Sequence, residues 1–271
     1  MMPQTGLVRN GHGIVIFPLM ASLHPLARAT RALSTAVSSL PFSDPVAHVY
    51  NPLDYAWPVH AEYLRRFGYG DGRDRRPRHL LLGMNPGPFG MAQTGVPFGA
   101  VGMVRDWLGL DRRDGERLVV GAPEETHPKR PVLGFGTTRE EVSGARLWGW
   151  ARDTFSGPEA FFDRFFVVNY CPLLFLHATG RNLTPDKIAR AEREPLLEIC
   201  DHGLRTMTEH LEVESIIGVG TFAEKAAKRV FGDALPVRRI LHPSPASPVA
   251  NRGWAEAATR QFAELGIELP G

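Results

Sequence analysis

The chain has 271 residues, 43% of them apolar and 22% charged, enough to bury the core of one large domain and too apolar for a disordered segment. Thirty-one basic against 29 acidic residues leave a formal charge of only +2, which excludes a polyanion binder that works through bulk charge alone; any basic surface must be local. Two cysteines, Cys171 and Cys200, exclude a disulfide framework, an iron–sulfur cluster and an all-cysteine zinc site, and are expected to be reduced thiols.

Before Asp44 there is no acidic residue, and Arg9, Arg28 and Arg31 punctuate a stretch rich in Ser, Thr and Ala, the composition of a transit peptide. Residues 1–43 are therefore set apart as a leader of uncertain order and residues 44–271 as a single domain. No apolar run reaches the ~18 residues needed to span a bilayer; the best, Gly13 to Leu23, is interrupted by Pro18. From Val46 to Phe67, Val49, Leu53, Trp57, Tyr63 and Leu64 follow a broken helical spacing limited by Pro52 and Pro58, which predicts one or two helices. The mixed charges from Gly70 to Arg78 read as a solvated turn.

Four short apolar runs, often β-branched or aromatic and bounded by Gly, Pro or charge, read as strands: His79 to Met84, Phe165 to Val168, Glu214 to Val219 and Val237 to Leu241. Helical stretches lie between them. Thr184 before Pro185 marks one start, Thr221 with Glu224 forms a capping box on a helix that Gly232 closes, and Asn251 is placed to cap the last helix, whose buried stripe is Trp254, Ala258, Phe262 and Leu265. Strands alternating with helices predict an α/β protein, a three-layer α/β/α sandwich around a mostly parallel four-stranded sheet.

In such folds the ligand crevice lies beyond the carboxyl ends of the strands. There the chain carries Asn85-Pro86-Gly87, Asn169-Tyr170-Cys171-Pro172, Gly220-Thr221 and His242-Pro243-Ser244-Pro245. Two amides and an imidazole thus converge on one rim. No carboxylate base comes from these segments, so the set suits orientation and charge stabilisation. Asn presents one acceptor and two donors that can read the edge of a planar heterocycle, and His can donate to an oxygen that becomes negative as a bond breaks. Phe98, in the glycine-lined loop after the first strand, is placed to stack on such a ring.

The segment from Gly83 to Gly99, GMNPGPFGMAQTGVPFG, resembles the first motif of the single-strand-selective monofunctional uracil-DNA glycosylases. Asn169-Tyr170-Cys171-Pro172-Leu173-Leu174-Phe175, Gly180-Arg181-Asn182-Leu183-Thr184-Pro185 and His242-Pro243-Ser244-Pro245 with Asn251-Arg252-Gly253-Trp254 match further motifs in the family's order. The similarity runs from about Val49 into the final helix.

The resemblance implies an α/β/α sandwich that flips uracil, and some 5-substituted uracils, out of DNA and hydrolyses the N-glycosidic bond to leave an abasic site. It gives Asn85 the attacking water, His242 the uracil O2, Asn169 the base edge and Phe98 the ring face, with Met84 and Gly87 lining the pocket. Asn169 can discriminate only if its amide is held one way round, which calls for a neighbouring lock. Gly87 is expected to leave room beside C5. The loop of Pro243, Ser244, Pro245, Ala246, Ser247 and Pro248, continuing to Asn251 and Arg252, resembles the family's intercalating loop, with a helix N-terminus near Asn251 for phosphate.

Better-known members carry a long side chain, often Arg, where this chain has Ala246, which puts duplex activity in doubt unless Ser247, Pro248 or Val249 does the wedging. Schiff-base chemistry has no support, because none of the chain's four lysines, Lys129, Lys187, Lys225 and Lys228, follows a strand. Neither a metal motif nor a phosphate loop is present. The expectations are thus no metal and no cofactor, single-stranded and secondarily double-stranded DNA as partner, uracil as product, no membrane and a monomer. The compartment implied is the bacterial cytoplasm, or the nucleus in a eukaryote. Two alternatives stand beside this reading: a glycosylase acting mainly on xanthine or hypoxanthine, and a non-catalytic module that binds damaged DNA.

Overall fold

The structure, a computed structural model, describes residues 7–10, 13–16, 23–70 and 77–270. Its centre is a sheet of four strands, β1 (His79–Gly83), β2 (Phe165–Asn169), β3 (Ser215–Val219) and β4 (Val237–Ile240). Every neighbouring pair is parallel, in the spatial order β4-β3-β1-β2. These are the four apolar runs of the sequence. They are nearly continuous in apolar character because a parallel sheet is covered on both faces.

The longer helices are α1 (Pro25–Ser38), α2 (Trp57–Tyr63), α3 (Val142–Thr154), α4 (Arg190–Leu211), α5 (Thr221–Phe231) and α6 (Trp254–Glu264). Successive side chains of a strand point to opposite faces, and Phe165 and Phe166 show which helices cover which. Phe165 lies 5.3 Å from Phe262 of α6, whose ring stacks on Trp150 of α3 at 5.0 Å. Phe166 faces Tyr63 of α2 at 5.0 Å, on the side where α1 packs against α4 and α4 against α5. The result is the expected α/β/α sandwich. The outer edge of β2 is covered too: the Tyr63 hydroxyl donates to the Val167 carbonyl at 2.7 Å, satisfying a group that an edge strand leaves open.

Several local expectations are corrected. Residues 25–38 do not stand apart from the domain: Leu26, Ala27, Leu33 and Val37 of α1 are buried in the main core. Thr221 does not cap α5, which starts from Gly220 at φ +93°. Its hydroxyl accepts from Arg239, and Glu224 pairs with Lys228 and Arg239 instead. Thr184 opens only a short 3-10 turn, Pro185–Lys187, before α4. Asn251 ends a four-residue helix, Pro248–Asn251, and α6 begins after Gly253 at φ +142°. Between Val46 and Phe67 a strand, His48–Tyr50, precedes the helices and pairs with Leu174–Leu176. The charged turn expected over residues 70–78 lies mostly outside the described residues.

Candidate active site

At the carboxyl ends of β1 and β2, Gly83 stands opposite Asn169 in the ladder. The pairing continues past the strands, with Tyr170 N–H donating to Gly83 and Cys171 N–H to Met84. This rim opens into a cavity of about 230 Å³. Met84, Asn85, Gly87, Phe98, Asn169 and His242, read from the sequence as one constellation, all line it, joined by Ser244 and Pro245 of the loop after β4. Pro88, Met91, Glu141, Ser143 and Asn182 line it as well, and none of these was singled out in the sequence.

Asn85 is anchored by its amide nitrogen, which donates to the Leu173 carbonyl at 3.1 Å. Its oxygen is left as an acceptor for a water in the cavity. Asn169 is 8% exposed, and its Nδ2 donates to the Met91 thioether at 3.2 Å. A thioether accepts but cannot donate, so this contact favours one orientation of the amide. Gly83 makes room for both neighbours, since a Cβ there would stand 2.3 Å from Asn169 Oδ1 and 2.6 Å from the Phe98 ring.

Phe98 has φ +56°, a left-handed conformation that costs a bulky side chain and persists only where its surroundings impose it. The surroundings are visible. A Cβ on Gly144 would lie 1.8 Å from the Phe98 carbonyl, which itself accepts from Ala100 N–H at 2.8 Å, and Trp148 holds the preceding Pro97 carbonyl at 3.3 Å. Such strain at a cavity wall points to a functional placement of the ring.

His242 packs 6.0 Å from Phe98 and close to Gly220, whose missing side chain admits it. Its ring makes no hydrogen bond with another described residue in the structure. Burial lowers its pKa to about 4, so the imidazole is neutral near pH 7 and keeps one N–H to donate.

The sequence reading found no carboxylate among the strand-end segments, yet Glu141, immediately before α3, brings one to the cavity. A Cβ on Gly87 would stand 2.3 Å from its Oε2. The space that Gly87 was expected to leave open is thus filled by a carboxyl group. Burial pushes its pKa up, while the Phe89 and Ser143 backbone amides pull it down. Its acidic position before a helix was legible, but its aim onto a loop far away in sequence was not.

The segment after His242 forms a compact arch. Pro243 is buried, whereas Pro245, Ala246, Pro248, Asn251 and Arg252 are exposed. Ser244 Oγ accepts from Ala246 N–H, and Ser247 caps the short helix by accepting from Ala250 N–H. Asn251 donates to the Pro245 carbonyl and accepts from Arg146 Nη2 at 2.9 Å; Arg146 Nη1 also reaches the Pro243 carbonyl at 3.2 Å. Asn251 therefore braces the loop and is not a helix cap.

Fold and cavity together define a class: an α/β/α sandwich with a small pocket for a planar ring at its strand ends. No protein-family model matches the chain. Among solved structures, the crystal structure of wild-type SMUG2 from Pedobacter heparinus superposes with a TM-score of 0.60, covering 89% of this chain and 99% of that one at 17% identity. That likeness concerns the fold. The single-strand selective monofunctional uracil-DNA glycosylase of Rattus norvegicus is 47% identical over 262 residues, 92% of this chain and 90% of the relative. Those of Mus musculus and Bos taurus are 48% and 47% identical, each over 87% of this chain and 81% and 84% of theirs. The chain belongs to the family of single-strand selective monofunctional uracil-DNA glycosylases, and so to the DNA N-glycosylases.

Proposed function

We propose that this protein releases uracil from single-stranded DNA by hydrolysing the N-glycosidic bond, and that its strand-end cavity holds the flipped base. The observation that carries this reading is the meeting of Asn85, Phe98, Asn169 and His242 around one cavity, together with membership of the family. Phe98 stacks on the ring. Asn169, with its amide biased by Met91, accepts from N3–H and donates to O4; the flipped amide would suit cytosine. Asn85, tied to Leu173 by its nitrogen, orients the water with its oxygen.

Bond breaking through an oxocarbenium-like state leaves the base as an anion, and a preorganised donor at O2 stabilises it. His242 is that donor in its neutral form, so no proton needs to be transferred to the base. Among the described residues no lysine lines the cavity, which supports release of the base without a Schiff base or strand cleavage. Flipping costs a few kcal/mol in a duplex and less in a single strand. The exposed turn at Pro245 and Ala246 offers little bulk to fill a vacated stack, and Val249, 45% exposed, is the largest apolar side chain at hand. Single strands are therefore the preferred substrate, with duplex release slower.

The test is multiple-turnover release of uracil, xanthine and hypoxanthine from matched single-stranded oligonucleotides. Uracil is expected to leave fastest, from strands that stay unbroken until treated with alkali. Faster release of either purine would replace the substrate, and tight binding without release would make the protein a binding module.

A further inference from the structure

The reading above uses Asn169 and His242 as polar walls of the cavity and leaves a third idle, the carboxyl group of Glu141. Its side chain runs along the glycines of the loop after β1. A Cβ on Gly90 would meet its Cγ at 2.8 Å, and one on Gly87 would meet its Oε2 at 2.3 Å and its Cδ at 2.8 Å. With the Phe89 and Ser143 backbone amides facing it, the carboxyl group is held at the cavity wall as a hydrogen-bond acceptor.

A uracil gripped with O2 at His242 and with N3–H and O4 at Asn169 has one edge left, C5–C6, while Phe98 takes a ring face. We propose that Glu141 is the specificity-determining residue for that edge, accepting a hydrogen bond from a hydroxyl-bearing 5-substituent and opposing a 5-methyl group. The inference rests on the base orientation just proposed. Its physical basis is an asymmetry: a hydroxyl replaces the water that the carboxyl group loses, whereas a methyl covers the acceptor and returns nothing. Sites built around a polar partner reject analogues lacking that partner far more strongly than apolar pockets reject a methylene. Gly87 is required because any side chain there would displace the carboxyl group.

The experiment measures single-turnover release of uracil, 5-hydroxymethyluracil and thymine from one single-stranded sequence, by wild type, Glu141→Gln, Glu141→Ala and Asn169→Ala. Rates are compared as ratios to uracil within each preparation, so a partly folded variant does not distort them. Loss of the charge-assisted bond is expected to lower the 5-hydroxymethyluracil to uracil ratio about tenfold in Glu141→Gln. Removing the carboxyl group in Glu141→Ala is expected to raise the thymine to uracil ratio by about the same factor. If either ratio stays within about twofold of wild type in its variant, the assignment is overturned. Asn169→Ala separates this from failure of the underlying orientation: wild-type uracil release by that variant would overturn the orientation itself, whatever the Glu141 ratios show.

Discussion

The cavity floor and the loop after β4 are built by different means. On the floor, Asn85, Phe98 and Asn169 are fixed by buried backbone and sulfur contacts that join segments distant in sequence. The loop is exposed at Pro245, Ala246 and Pro248, and one guanidinium, that of Arg146, ties its two ends together through Pro243 and Asn251. The difference separates two demands. Charge stabilisation needs groups that do not reorganise as the bond breaks, whereas DNA contact needs a stiff, replaceable tip.

The comparison is broken most directly at the floor. Asn85→Ala and His242→Ala are each expected to slow uracil release by about 10²- to 10³-fold while thermal melting stays near wild type; wild-type rates from both folded variants would remove the proposed roles.

Protonation tests how deeply the same region is buried. Burial holds His60 and His242 at pKa values of about 4, against an ordinary 6.5 in the unfolded chain. Between those values the unfolded state binds more protons. Stability is therefore full above pH 6.5 and is lost as pH falls toward 4. For His60, 6% exposed and bonded through Nδ1 to the Gly95 carbonyl, the loss is at most about 3 kcal/mol. Denaturant midpoints measured from pH 7 to 4 should fall more shallowly in His60→Gln than in wild type, and identical slopes would contradict the burial.

The loop is probed by two smaller changes. Arg146→Ala removes the tie and is expected to reduce release from duplex DNA about tenfold, with a lesser effect on single strands; equal losses on both would show that the guanidinium serves the pocket rather than the loop. Ala246→Arg places a long side chain at the tip and should raise duplex release a few-fold without changing the single-strand rate. A variant no better on duplex would locate the wedge elsewhere, with Val249 the next candidate.

The strands were legible because a parallel sheet demands apolar runs with no polar alternation, and the strand-end residues followed from where such sheets bind ligands. The motifs then brought Met84, Gly87 and Phe98 to the same place. Side-chain competition was not legible. Thr221 and Glu224 have a capping-box spacing, yet Arg239 and Lys228 offer them stronger charged partners. The stripe Leu26, Thr30, Leu33 and Val37 has helical spacing, but a composition without acids disguised a core helix as a leader. Glu141 reaches Gly87 only through the packing of α3 beneath Phe98, and the left-handed backbone of Phe98 depends on Gly144, a contact that no local pattern announces.

The central claim is that neutral His242 stabilises the departing base anion. It is tested most directly by single-turnover release of uracil and of 5-fluorouracil by wild type and His242→Ala. Fluorine stabilises the anion intrinsically, so the deficit of the variant should be large on uracil and shrink by about tenfold or more on 5-fluorouracil. An equal deficit on both bases, or none on uracil, would contradict it.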